Sequence, residues 1–93
     1  METGMGMNTF ADVVRCVQRG AASGDTSWYG NIEQHIRKIP GGDTVIRELV
    51  TGTRTAEQVM DVLQTWGGLM PSPAILVYIR GFIQAQKQKM EQI

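Results

Sequence analysis

The chain is expected to fold as an all-α protein, a compact bundle of four to five short helices packed around a long C-terminal helix. Three observations carry that expectation. Apolar residues recur at i, i+3, i+4 and i+7 in several separate stretches, glycine and proline interrupt the chain between them, and the last quarter opens with a helix-start signal followed by an apolar run.

Residues 1 to 7 are short, rich in Met and Gly, and carry no periodic pattern, so they are expected to be a disordered N-terminal tail, with a single helical domain over residues 8 to 93. Asn8 or Thr9 caps the first helix, in which Phe10, Val13, Val14 and Val17 share one face. Asp12 lies near its positive end and Arg15 and Arg19 toward its negative end, which suits the helix dipole. Gly20 is expected to stop it, and the small polar run from Gly20 to Ser27 reads as a loop. A second helix follows on Trp28, Ile32, Ile36 and Ile39, with Asn31 and Gln34 in capping-box spacing. It must end before Pro40, because the residue preceding a proline is driven out of the αR region.

Asp43 is the expected cap of a third helix of about two turns, too short to be stable alone, with Val45, Ile46, Leu49 and Val50 as its apolar stripe. Thr55-Ala56-Glu57-Gln58 has the form of a capping box and opens a fourth helix, whose buried face is expected to be Val59, Met60, Val62, Leu63 and Trp66. Gly67 and Gly68 end it, and the short link Leu69-Met70-Pro71 makes the fourth and fifth helices direct neighbours.

Ser72 is a preferred N-cap and Pro73 a preferred first helical residue, so the fifth helix begins there. From Ala74 to Ile83 its only charge is Arg80, and a helix apolar on nearly every side is either a membrane span or the centre of a core. The run is about ten residues against the roughly 20 a bilayer requires, so it is expected to be a core pillar sheathed by the other helices. Beyond Ala85 the Gln-rich end is expected to emerge into solvent. The β-branched stretches Thr44 to Thr51 and Ile75 to Ile79 suit strands in isolation, but the capping signals around them favour helix.

Composition excludes several functions. Nine basic and nine acidic side chains give zero formal net charge, so no global field steers the chain toward a polyanion or an anionic membrane. Cys16 and His35 are the only residues of their types, too few for a disulfide or a structural zinc site, and no P-loop or dinucleotide fingerprint occurs. Gly41-Gly42-Asp43-Thr44 reads as a turn and a cap rather than a phosphate cradle, since Asp43 repels an anion. No cofactor, no metal and no enzymatic activity are expected, and a lone thiol with no secretory signal suggests an intracellular site, cytoplasmic or in a host cell's cytoplasm or nucleus.

What remains is recognition. Thr55 to Gln84 has the outline of a helix-turn-helix, with Arg37, Lys38, Arg47, Arg54 and Arg80 as available cations. Its second helix, however, offers Ala, Ile, Leu, Val and Tyr where a recognition helix needs groups that reach base edges, so nucleic acid is the alternative rather than the preferred partner. The favoured reading is a small non-enzymatic interaction or adaptor module for a protein partner, with no membrane role. Helical modules of this size serve as adaptors, as regulatory domains of viral or phage origin and as grips on a larger partner such as a nucleoprotein, an analogy of fold alone. Candidate partner-binding residues are the aromatics Trp28 and Tyr29 after the Gly/Ser loop, the cations Arg37 and Lys38 before Pro40, and Leu69 and Met70 as an apolar lip in a tight turn. Met90 and Ile93 make a homo-oligomer a further expectation.

Overall fold

A computed structural model describes residues 9–91, so the expected tail, the Asn8 cap and Ile93 lie outside the described residues. Five α-helices follow one another: α1 Thr9–Ser23, α2 Tyr29–Lys38, α3 Gly42–Thr51, α4 Ala56–Gly67 and α5 Pro73–Glu91, with one 3-10 turn, Thr26–Trp28, between α1 and α2. Among the described residues there is no strand. The all-α bundle read from the sequence is the fold observed.

Two helix starts are as the sequence implies. The Gln58 amide donates to Thr55 Oγ1 (3.2 Å) and the Thr55 amide to Gln58 Oε1 (2.8 Å), a reciprocal box that satisfies two amides with no partner inside the helix. Ser72 Oγ accepts from the Ile75 amide (3.2 Å) and so caps α5.

The other boundaries move, for tertiary reasons. α1 does not stop at Gly20 but runs to Ser23, and Gly24 ends it with a positive φ of 68°. The Asp25 amide then reaches back to the Gly20 carbonyl (3.1 Å), the six-to-one bond of a Schellman termination. Gly20 is glycine because the Tyr78 ring lies against it, where a Cβ would overlap the phenol. The expected loop is therefore mostly helix and turn. Asp25, not Asn31, provides the next cap: its carboxylate accepts from the Ser27 amide (2.9 Å), and α2 itself starts without a side-chain cap. α3 is entered through Gly41 in the left-handed region (φ 81°), so Asp43 is not its N-cap. Asp43 instead accepts from Arg37.

The core forms where α1 and α5 meet, closed by the inner faces of α2, α3 and α4. Val13, Val14, Cys16 and Val17 of α1 face Ile75, Tyr78, Ile79, Phe82 and Ile83 of α5, with Ile32, Ile36, Ile46, Leu49 and Leu63 filling the sides. α1 packs on α2, α4 and α5, while α3 packs chiefly on α2 and α5.

α5 corrects the expectation of a sheathed pillar. Its buried residues keep helical spacing on one face, and the other face is open: Pro73 and Ala74 are exposed and Val77 is 65% exposed. The Gln-rich end does not leave the core at Ala85, since Gln86 is only 4% exposed and its Nε2 donates to Glu33 Oε1 (3.1 Å). Lys89 Nζ reaches the same oxygen (2.9 Å) and Arg37 Nε the other (2.9 Å). Burial alone would raise the Glu33 carboxyl, but the hydrogen bonds from Lys89, Arg37 and Gln86 outweigh it and hold the group below its ordinary value. Among the described residues no helix is long and apolar enough to cross a membrane.

Candidate partner-binding site

α3 packs chiefly on α2 and α5, and a gap is left between its start, the end of α2, α1 and α4. It forms a cavity of about 200 Å³ with an almost wholly apolar wall. Phe10 and Val13 of α1 form one side, and Val59, Val62 and Leu63 of α4 another. The end of α2 (Ile36, Ile39, Pro40) and the start of α3 (Gly42, Val45) close the third.

Local sequence sets that third side. Pro40 forces Ile39 into an extended conformation, and Gly42 sits so close to the Ile36 carbonyl that any Cβ would overlap it. Arg37 then locks the elbow, with Nε on Glu33 Oε2 (2.9 Å) and Nη1 on Asp43 Oδ1 (2.6 Å). Arg54 is the one charged side chain in the wall; its Nε donates to Glu48 Oε1 (2.9 Å) and its Nη2 lies 2.8 Å from the same oxygen.

Beside the cavity, Phe10 and Trp66 stand with ring centroids 6.4 Å apart. A Cβ at Gly67 would lie 2.5 Å from Val14 Cγ2 and 2.9 Å from the Phe10 carbonyl, so only glycine lets the end of α4 approach α1 this closely. Trp66 was expected in the core, on the face with Val59 and Leu63. It is 68% exposed, because that close backbone approach leaves no room for an indole between the helices.

The six candidate residues are not brought together. Leu69 is 2% exposed and forms no lip: its amide bonds to the Leu63 carbonyl (3.1 Å) past Gly68, which draws the side chain under the end of α4. Met70, the next residue, is 74% exposed. Trp28 is half-buried against the core. Tyr29 packs with its ring centroid 5.1 Å from Tyr78 and 5.8 Å from Phe82. Arg37 is committed to two carboxylates, whereas Lys38 is exposed and has no ion pair among the described residues. Sequence reasoning missed Phe10, Ile39, Pro40, Val45, Val59, Val62 and Trp66 as wall and rim. In the sequence most of them read as core-facing apolar residues, with no signal that they line a cavity.

The remaining groups are accounted for by structure. The Cys16 thiol is buried in the core, and burial, followed by the nearby Asp12 charge, pushes it up from its ordinary value. Arg80 Nη2 pairs with Glu57 Oε2 (2.6 Å), so of the five cations available to a helix-turn-helix, Arg37, Arg54 and Arg80 are in ion pairs. Among the described residues no group of three His, Cys, Asp or Glu side chains could hold a metal ion. No protein family, no curated protein and no solved structure matches the chain.

Proposed function

We propose that the chain is a small interaction module whose cavity receives one large apolar side chain of a protein partner, with Trp66 and Met70 supplying apolar surface around the contact. The observation that carries this reading is an open apolar cavity of about 200 Å³ beside a tryptophan that is 68% exposed. A cavity of roughly 150 Å³ holds a benzene-sized group, so this one accommodates a phenyl or isobutyl side chain. Burial of such an anchor contributes about 1.5–3 kcal/mol, which makes it a hot spot but not a complete interface. A tryptophan ring left in water beside it is the residue type that interfaces favour.

The test is affinity capture from the native source with three baits. Wild type is expected to retain a dominant protein partner, and Val62→Phe, which fills the cavity with its own ring, is expected to lose it while melting no lower. Val77→Ser, altered on the open face of α5, is expected to keep it. Equal capture by all three baits overturns the assignment of the cavity. A shift of duplex DNA by the pure chain, weakening steeply as salt rises, would favour the α4–α5 helix-turn-helix instead.

A further inference from the structure

The elbow between α2 and α3 closes the third side of the cavity, yet the side chains that fix it lie outside the wall. Gly41 is the N-cap of α3 and Gly42 its first residue, so no side chain caps this helix. Two adjacent glycines also give the elbow backbone more accessible conformations than other residues would. The Gly42 amide donates to the Ile39 carbonyl (2.7 Å), a bond internal to the turn. Among the described residues, the one side-chain hydrogen bond from α2 to α3 is that of Arg37 Nη1 to Asp43 Oδ1. Glu33 fixes the same guanidinium on the α2 side, and Gln86 and Lys89 tie Glu33 to α5. A continuous polar chain thus runs from α5 across α2 to the first turn of α3, and none of its members lines the cavity.

We propose that Arg37 and Asp43 are positioning residues for the cavity, an inference that rests on the interaction reading above. Their bridge holds the elbow, and with it Ile39, Pro40 and Val45, so that an apolar occupant meets a wall already formed. Neither residue touches the occupant. With the bridge broken, the elbow also visits arrangements in which that wall is displaced, and apparent affinity falls with the fraction of molecules that keep it formed. Both side chains are exposed, so the loss is that of a solvent-accessible ion pair, about threefold to fivefold in affinity. Ile46 and Leu49 remain buried in the core and keep α3 docked, so the fold survives the break.

Benzene is the probe, titrated into the full chain, with dissociation constants read from the backbone amide shifts of Val59 and Val62 on the α4 side of the wall. Arg37→Gln and Asp43→Asn are each expected to weaken benzene about threefold to fivefold. Asp43→Glu, which keeps a carboxylate for Arg37, is expected to bind as wild type does. Glu57→Gln breaks an ion pair of the same length (2.6 Å), also exposed, between α4 and α5, and is expected to leave the affinity unchanged. That control separates the position of the wall from a general loss of stability. Unchanged affinity in Arg37→Gln and Asp43→Asn overturns the positioning role and leaves the cavity standing. Weakening in only one of the two assigns the effect to that residue's own charge and overturns the bridge, as does equal weakening by Glu57→Gln. Failure of benzene to move those amides in wild type overturns the cavity and this inference with it.

Discussion

The protein holds two groups of aromatic rings that meet opposite fates. Tyr78 and Phe82 are sealed in the core with the half-buried Tyr29 packed against both, whereas Phe10 and Trp66 pair at the surface beside an open cavity. The difference lies in the backbone facing them. Tyr78 rests on Gly20, and the Tyr29 oxygen lies 2.5 Å from where a Cβ at Gly81 would be, so each tyrosine of the sealed group is received by a glycine. Tyr78 Oη also donates to the Asp25 carbonyl (2.6 Å), which satisfies its polar end. At the other group the glycine, Gly67, admits the backbone of α1 rather than a ring, and the indole is left outside. One group of rings holds the bundle together, and the other leaves its indole in water beside the cavity.

The contrast is broken most severely at the sealed group. Gly20→Ala places a methyl against a phenol fixed by a ring contact and a hydrogen bond, and is expected to cost about 2 kcal/mol. By that measure the melting temperature falls by roughly 10 °C. Gly30→Ala, where nothing lies within 4 Å, is the control and is expected to gain about 0.5–1 kcal/mol from helix propensity. If both substitutions stabilise, Tyr78 is not held as described.

Tyr78→Phe keeps the ring and removes the donor, and is expected to cost about 1 kcal/mol in a denaturant melt. The same hydroxyl has an alkaline signature. Burial first, then the neighbouring Tyr29, Asp25 and Cys16, raise it to about 12 from 10.0. The stability it contributes is full below 10.0 and is lost as pH rises toward 12, so phenolate absorbance from Tyr78 is expected only near the alkaline limit. A phenolate signal with the ordinary midpoint for every tyrosine would contradict the sealing.

Glu33→Gln is expected to cost about 1 kcal/mol, since two of its three donors are charged but exposed, Arg37 by 42% and Lys89 by 64%. Because its carboxyl is held below the ordinary value of 4.5, its contribution is present above that pH and disappears as pH falls through the lower folded value. The acid limb of a melting-temperature profile is expected to be shallower in the variant, and identical limbs would show that Glu33 carries no such linkage. Trp66→Ala, at the open group, is the smallest effect: within about 0.5 kcal/mol of wild type in stability, with partner capture reduced. A loss of several degrees would place the indole in the core.

Features set by a few adjacent residues were legible in the sequence. The Thr55 box, the Ser72 cap and the end of α2 before Pro40 depend on local spacing, and they stand where the chain implies. Features set by a distant partner were not. Gly20 and Gly24 look alike as helix breakers, and only the arrival of Tyr78 makes the first a seat for a ring and the second a terminator. Trp66 and Leu69 exchanged expected roles, Trp66 because Gly67 brings α4 close to α1 and Leu69 because the turn past Gly68 folds it back under α4. The cavity is harder still to foresee, being a space left between parts of four helices rather than a pattern of residues. Arg37 is intermediate: its pairing with Glu33 follows from i,i+4 spacing, but Asp43 joins only through the elbow.

Gln86 and Lys89 donate to a carboxylate on a helix more than fifty positions earlier in the chain. Shortening the protein after Ala85 would therefore injure a region far from the cut, leaving Glu33 with Arg37 as its sole donor among the described residues. Deuterium uptake is expected to quicken across α2 in such a truncation, while the amides around the Thr55 cap keep their protection.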